Sequence, residues 1–140
     1  MESVSDYLLP YLSTYAAERI SALQGERARG TRAETDFQQA ILEVLKHEKG
    51  LSAAKQAMNR DFRLNSKTTD HFLARLMARH GNTCIDFIMR KVEYGISQSR
   101  KSGRSKVFTH DCSITFDPLN NTLISIYPKT SLTVCRASSH

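Results

Sequence analysis

Residues 107–127 read VFTHDCSITFDPLNNTLISIY, and this stretch decides the fold class. Apolar and polar side chains alternate over 107–116, which is the period of a β-strand with one buried face. The DPLNN that follows, residues 117–121, has the composition of a turn. Residues 122–127 predict a second strand, and short strands joined by short turns form an antiparallel meander.

Helices precede this meander, because apolar residues recur at helical spacing through the earlier part of the chain. The predicted helices span 5–24, 31–50, 52–59, 67–80 and 83–94. Residues 60–66 are predicted as a linker and 97–106 as a polar, basic loop, and a last strand is predicted over 131–135. The fold class is therefore α+β: N-terminal helices followed by a small antiparallel meander of three or four strands, with helices packed on one face.

Size and composition limit the class of protein further. The chain has 140 residues, of which 40% are hydrophobic and 24% charged, as in one soluble domain with or without an appendage. We expect a helical N-terminal region over 1–60 and an α+β domain over 61–140. A membrane protein, a secreted disulfide scaffold and a multidomain enzyme are not expected. Three widely spaced cysteines and no secretory signal predict a cytoplasmic protein.

The positive charge is concentrated in one third of the chain. The net charge is +6, and residues 60–106 hold eleven basic against four acidic side chains, a local balance of +7. Such a field attracts polyanions, of which nucleic acid is the commonest. An acidic protein partner and a merely solvated surface are the alternatives.

The predicted helix 67–80 carries His71, Arg75 and Arg79 four residues apart, which places them on one face. An imidazole beside two guanidinium groups is what phosphodiester cleavage needs without a metal: a proton-transfer group and fixed cations for the developing charge. These three residues, the helix row, are also compatible with an ordinary solvated basic face.

The predicted basic loop supplies a second group of candidates. It carries Arg100, Lys101, Arg104 and Lys106, and His110 follows it on the first strand. We expect the four cations to bind the RNA backbone and His110 to be a second proton-transfer residue. The alternative is a mobile surface hairpin.

A third group lies at the end of the strand 122–127. Ser125 and Tyr127 point to one face, and Lys129 follows them. A tyrosine at such a position can stack on an RNA base, and Lys129 can bind phosphate. Packing of Tyr127 against the sheet is the alternative.

The string TDHFLARLMARHG, residues 69–81, resembles the H-x3-R-x3-R opening helix of small RelE/BrnT-like ribonuclease toxins of the barnase–EndoU–colicin–RelE group. The order of elements over 67–135 is similar as well. The resemblance implies metal-independent RNA cleavage through the ribose 2′-OH, and an antitoxin protein as partner. It also implies that His71 is the general acid or base and that Arg75 and Arg79 stabilise the phosphate.

Two functions follow as predictions. The first is a metal-independent endoribonuclease of toxin type. The alternative is a non-catalytic nucleic-acid-binding or phage- or plasmid-type regulatory protein, which docks residues 60–106 on nucleic acid or on an acidic protein. No cofactor and no metal ion are expected, because P-loop, dinucleotide-binding and metal-ligand motifs are absent from the sequence.

Overall fold

The structure, a computed structural model, describes residues 2–12 and 51–128 and scattered residues between 14 and 43. The elements are α1 (Val4–Leu8), a 3-10 helix (Leu9–Tyr11), α2 (Leu51–Phe62), β1 (Lys67–Thr68), α3 (Asp70–His80), α4 (Ile85–Ser102), β2 (Lys106–Phe108), β3 (Cys112–Asp117) and β4 (Thr122–Pro128). Within these ranges, no helix has the length and apolar character required to cross a membrane.

The four strands form one sheet in the order β1-β4-β3-β2, and α3 and α4 pack on it, which confirms the α+β class. β3 pairs antiparallel with β4, as predicted, and also with β2, a pairing that was not predicted because residues 107–116 were assigned to one strand. β1, however, pairs parallel with β4, so the sheet is mixed and the all-antiparallel meander is wrong in this respect. The predicted strand 131–135 lies outside the described residues.

The start of α3 explains this difference. The backbone N–H of Lys67 donates to the Asn121 carbonyl at 2.8 Å, and that of Thr69 donates to the Leu123 carbonyl at 3.2 Å. The predicted helix 67–80 therefore starts later, at Asp70, where the Thr69 hydroxyl accepts from the Phe72 N–H at 3.0 Å and caps the first turn. Lys67 and Thr68 were predicted as helical, but they form an edge strand because they pair with β4.

Helix α4 is longer than the predicted helix 83–94, and most of the predicted loop 97–106 belongs to it. Its buried residues continue at helical spacing through Ile96 and Ser99, so packing against the core stabilises the helix beyond the predicted end. Gly103 ends it with φ of +76°, the left-handed conformation that glycine adopts without strain.

The predicted strand 107–116 is two strands joined by a short connection that contains His110. The Thr109 N–H donates to the Cys112 carbonyl at 2.8 Å, and the Thr109 hydroxyl accepts from the Cys112 N–H at 3.2 Å, which closes the connection. The predicted turn 117–121 is confirmed: the Asp117 carboxylate accepts from the Leu119 N–H at 3.0 Å.

The described N-terminal residues differ from the predicted helix 5–24, since α1 ends at Leu8, the 3-10 helix begins at Leu9 and Leu12 is extended. Residues of α1 belong to the same apolar core as α2, α3, α4 and the sheet. The predicted linker 60–66 begins inside α2, which also spans the predicted boundary between 1–60 and 61–140. The helix predicted over 31–50 lies largely outside the described residues.

Gly95 determines how closely α4 lies on β3. A Cβ atom at this position would lie 2.8 Å from Cβ and Cγ1 of Ile114, whose side chain is fully buried. We expect Gly95→Ala to lower the free energy of unfolding by about 1–2 kcal/mol, because overpacking outweighs the gain of about 1 kcal/mol in helix propensity. Urea denaturation tests this, with the exposed Ser97→Ala on the same helix as control. Equal or higher stability of the Gly95 variant would contradict the packing.

His80, the last residue of α3, makes stability depend on pH. Its Nε2 is buried and has no hydrogen-bond partner among the described residues, and burial, with Arg79 as a lesser cause, lowers its pKa to about 4. The unfolded chain takes up this proton near pH ~6.5, whereas the folded chain does not until about pH 4. Stability is therefore retained above pH ~6.5 and lost as the pH falls. Urea denaturation should give a free energy of unfolding about 2 kcal/mol lower at pH 5 than at pH 7, and this difference should disappear in His80→Gln. An equal difference in both proteins would contradict the role of His80.

Candidate functional site

The helix row lies on α3, where His71 and Arg75 contact each other directly. The Arg75 Nε donates to the His71 Nε2, which must therefore be unprotonated. Partial burial, and then the charges of Arg75 and Arg79, lower the pKa of His71. The imidazole is therefore neutral at pH 7 and has one nitrogen already engaged.

Arg79 reaches the edge of β4 that the short β1 leaves uncovered. Its Nη1 donates to the Ile126 carbonyl at 3.0 Å, and its guanidinium carbon lies 4.0 Å from the centre of the Tyr127 ring. The fold thus brings together two predicted site residues, Arg79 and Tyr127. This guanidinium caps a strand edge and stacks on a ring, so phosphate binding would compete with structural contacts.

Arg100 is not part of a flexible arm. It projects from α4, and its Nη2 donates to the Asn65 carbonyl at 2.8 Å and to the Asn121 Oδ1 at 2.7 Å. Its guanidinium carbon also lies 5.3 Å from the centre of the Phe116 ring. We therefore assign Arg100 to holding two loops together, which corrects the predicted loop conformation.

The other predicted cations are spread over several elements. Lys101 is exposed on α4, Arg104 is exposed on the short connection after it, and Lys106 is exposed on β2. Ser125 is partly buried on β4, and Lys129 lies outside the described residues.

His110 lines a groove that contains no member of the helix row. The groove lies between α4 and the edge strand β2 and has a volume of about 600 Å³. We call it the aromatic groove, and it is lined by Phe87, Arg90, Lys91, Tyr94, Phe108, Thr109 and His110.

Three aromatic rings in this groove are exposed to an unusual degree. The exposed fractions are 48% for Phe87, 52% for Tyr94 and 62% for Phe108. Lys91 lies among them, with Nζ 5.1 Å from the centre of the Phe87 ring and 3.1 Å from the Asp111 carboxylate. A cluster of exposed rings beside cations marks a binding surface, because such area is otherwise buried.

The fold of β2 explains why Phe108 is exposed. Val107 pairs with the buried Ile114 and faces the helices, so its neighbours Lys106 and Phe108 point away from the core. Phe108 pairs with Ser113, which in turn pairs with Tyr127 on β4. The outer face of the sheet therefore continues from the aromatic groove towards Tyr127.

Sequence reasoning found His110 in this groove but missed the three rings. Phe87, Lys91 and Tyr94 recur at helical spacing opposite the buried stripe of α4. That spacing was a usable signal, but an aromatic residue on a helix is ordinarily assigned to the core. The placement of Phe108 depends on the pairing of β2 with β3, for which the local sequence carries no signal.

Comparison with known proteins gives no match: no protein-family model, curated protein or solved structure is similar to this chain. The resemblance of residues 69–81 to ribonuclease toxins therefore stays a prediction.

Proposed function

We propose that this protein binds single-stranded RNA through the aromatic groove. The observation that carries the proposal is the set of exposed rings, Phe87, Tyr94 and Phe108, in one groove with Arg90 and Lys91. Unpaired bases stack on aromatic side chains, while Lys and Arg contact the phosphates between them. A base-paired helix cannot offer its base faces in this way.

The charges favour RNA over an acidic protein as the occupant. The region 60–106 has a balance of +7, and Lys106 is exposed two residues before Phe108 on β2. A nucleic acid strand matches a surface on which cations alternate with rings, because its phosphates and bases alternate as well. An acidic peptide matches it less well, since it has no flat π-face at each position. An acidic partner protein, such as an antitoxin, is the competing occupant.

Fluorescence anisotropy with a labelled single-stranded decamer and the same strand in a duplex tests the proposal. We expect the single strand to bind more tightly than the duplex. Equal affinity for both would mean that charge, and not stacking on the rings, accounts for binding. No binding to either would favour an acidic protein as the occupant.

RNA cleavage is a second candidate, favoured by a neutral His71 that lies beside Arg75 and near Arg79 on α3. The one basic nitrogen of this imidazole, Nε2, accepts from Arg75, so His71 can act as a general base only after that contact opens. Incubation with total RNA in EDTA tests this candidate. Fragments with 2′,3′-cyclic phosphate ends that disappear in His71→Ala, but persist in His110→Ala, would assign the chemistry to α3. Intact RNA would leave binding as the function.

A further inference from the structure

A second cavity lies at the opposite end of α4, where α2 meets β1. The residues of α2 that reach it follow helical spacing and so share one face. We call it the basic pocket; its volume is about 770 Å³, and it is lined by Gln56, Asn59, Arg60, Arg63, Asn65, Ser66, Lys67 and Asn121. It shares no lining residue with the aromatic groove.

The segment between α2 and β1 is held in a defined conformation. The Leu64 N–H donates to the Asn59 carbonyl at 3.3 Å, and Arg63 is left-handed with φ of 53°, as in a Schellman motif. The Asn59 side chain donates to the Ser66 carbonyl at 2.7 Å and accepts from the Ser66 N–H at 3.1 Å. The buried Leu64 anchors the segment in the core, so Arg63 is presented from a fixed backbone.

The far wall of the basic pocket is fixed as well. The Asn121 Nδ2 donates to the Asn65 carbonyl at 2.9 Å, and Arg100 donates to both of these residues from outside. Asn65 and Asn121 each adopt a left-handed backbone with φ of 54°. Such strain costs about 1 kcal/mol or more at each non-glycine residue, and it persists because these contacts determine the loops.

The charges in the basic pocket are poorly balanced. No carboxylate lines it, and neither Arg63 nor Lys67 has a salt bridge within the described ranges. Arg60 is neutralised in part by Asp61, whose Oδ1 lies 3.0 Å from its Nε. Arg63 also lines an adjoining cavity with the carboxylates of Asp61, Asp86 and Glu93, but in the described part of the protein neither Arg63 nor Lys67 is within salt-bridge distance of one.

Ser66 also lines the pocket and has a buried hydroxyl group. It is 8% exposed, and its Oγ has no hydrogen-bond partner in the described part of the chain. A buried hydroxyl without a partner costs free energy.

We propose that the basic pocket binds a phosphate group, through the Arg63 guanidinium, the Lys67 ammonium and the amide groups of Asn59 and Asn121. All of these can donate hydrogen bonds, and phosphate oxygens only accept them. The phosphate has two sources with the same chemistry: the backbone of a nucleic acid strand and a free nucleotide.

The first test uses inorganic phosphate and uridine monophosphate as probes, with sodium chloride at matched ionic strength as reference. We expect both probes, but not chloride, to produce saturable NMR shifts in the amides of residues 63–67 and 121. These shifts disappear in the double variant R63Q/K67Q and remain in R104Q, which removes an exposed charge outside the pocket. Equal shifts in both variants, or equal shifts with chloride, would overturn the proposal.

The second test identifies the source of the phosphate by binding of an RNA decamer. If the strand supplies the phosphate, R63Q/K67Q weakens decamer binding about tenfold and makes its salt slope shallower by about 0.7, because one phosphate contact is lost. If a free nucleotide is the ligand, the double variant loses mononucleotide binding and keeps its affinity for the decamer. The phosphate site stands on its own in either case. Y94A/F108A affects decamer binding and leaves the phosphate shifts unchanged, so failure of the groove and failure of the pocket are distinguishable.

Discussion

Replacing Tyr94 and Phe108 together by alanine is expected to weaken binding of a single-stranded RNA decamer by about 30-fold or more. Loss of one stacking ring costs about 1–3 kcal/mol, and the two rings come from different elements, α4 and β2. Both side chains are more than half exposed, so their removal should leave stability within about 0.5 kcal/mol. Fluorescence anisotropy measures the affinity, and thermal unfolding measures the stability.

The matched control for this variant is Leu119→Ala. Leu119 is 94% exposed in the turn between β3 and β4, outside the aromatic groove. Its replacement by alanine therefore removes exposed apolar surface without removing a ring. An unchanged affinity in Y94A/F108A would contradict the stacking role. An equal loss in the Leu119 variant would show that the effect is not specific to the groove.

Binding of the decamer should also weaken by about 50-fold between 50 and 200 mM salt. Each phosphate contact with a single strand contributes about −0.7 to the slope of log K against log salt, and about four contacts give a slope of about −2.8. The cations that we expect to make them are Arg90 and Lys91 in the groove, Lys106 on β2 and Arg104 on the connection that precedes β2. Titration at a series of sodium chloride concentrations measures the slope.

Charge variants separate this effect from stacking. Arg90→Gln and Lys106→Gln should each make the slope shallower by about 0.7, whereas Y94A/F108A should lower the affinity and keep the slope. A slope near zero for the unmodified protein would contradict the phosphate contacts. A slope unchanged in both charge variants would place the contacts elsewhere on the surface.

Elements of the sheet could be predicted from the sequence where the pattern that defines them is local. The turn at 117–121 and the strand after it depend on alternation and on turn residues, and the structure confirms both. The parallel pairing of Lys67 and Thr68 with β4 was missed, because it depends on a partner more than fifty residues away. The extension of α4 was missed because polar residues such as Ser97 and Arg100 cover its exposed face while the core continues beneath them.

The positive charge of the candidate site could be predicted from the sequence, but the positions of its side chains could not. The excess of cations over 60–106 is visible in the sequence, whereas the contact of Arg79 with Tyr127 and β4 depends on tertiary packing. Phe108 and Tyr94 come together only because β2 lies beside α4. A ring in an amphipathic pattern is usually a core residue, so its exposure could not be read from spacing alone.

Photo-crosslinking of a 4-thiouridine decamer to the unmodified protein, followed by mass spectrometry of the peptides, tests the central claim most directly. We expect adducts on the peptides that contain Tyr94 and Phe108. These adducts should be lost when excess unlabelled single strand is added and should be retained when duplex is added. Adducts confined to α3 or to Tyr127, or no adducts under conditions in which the decamer is bound, would contradict it.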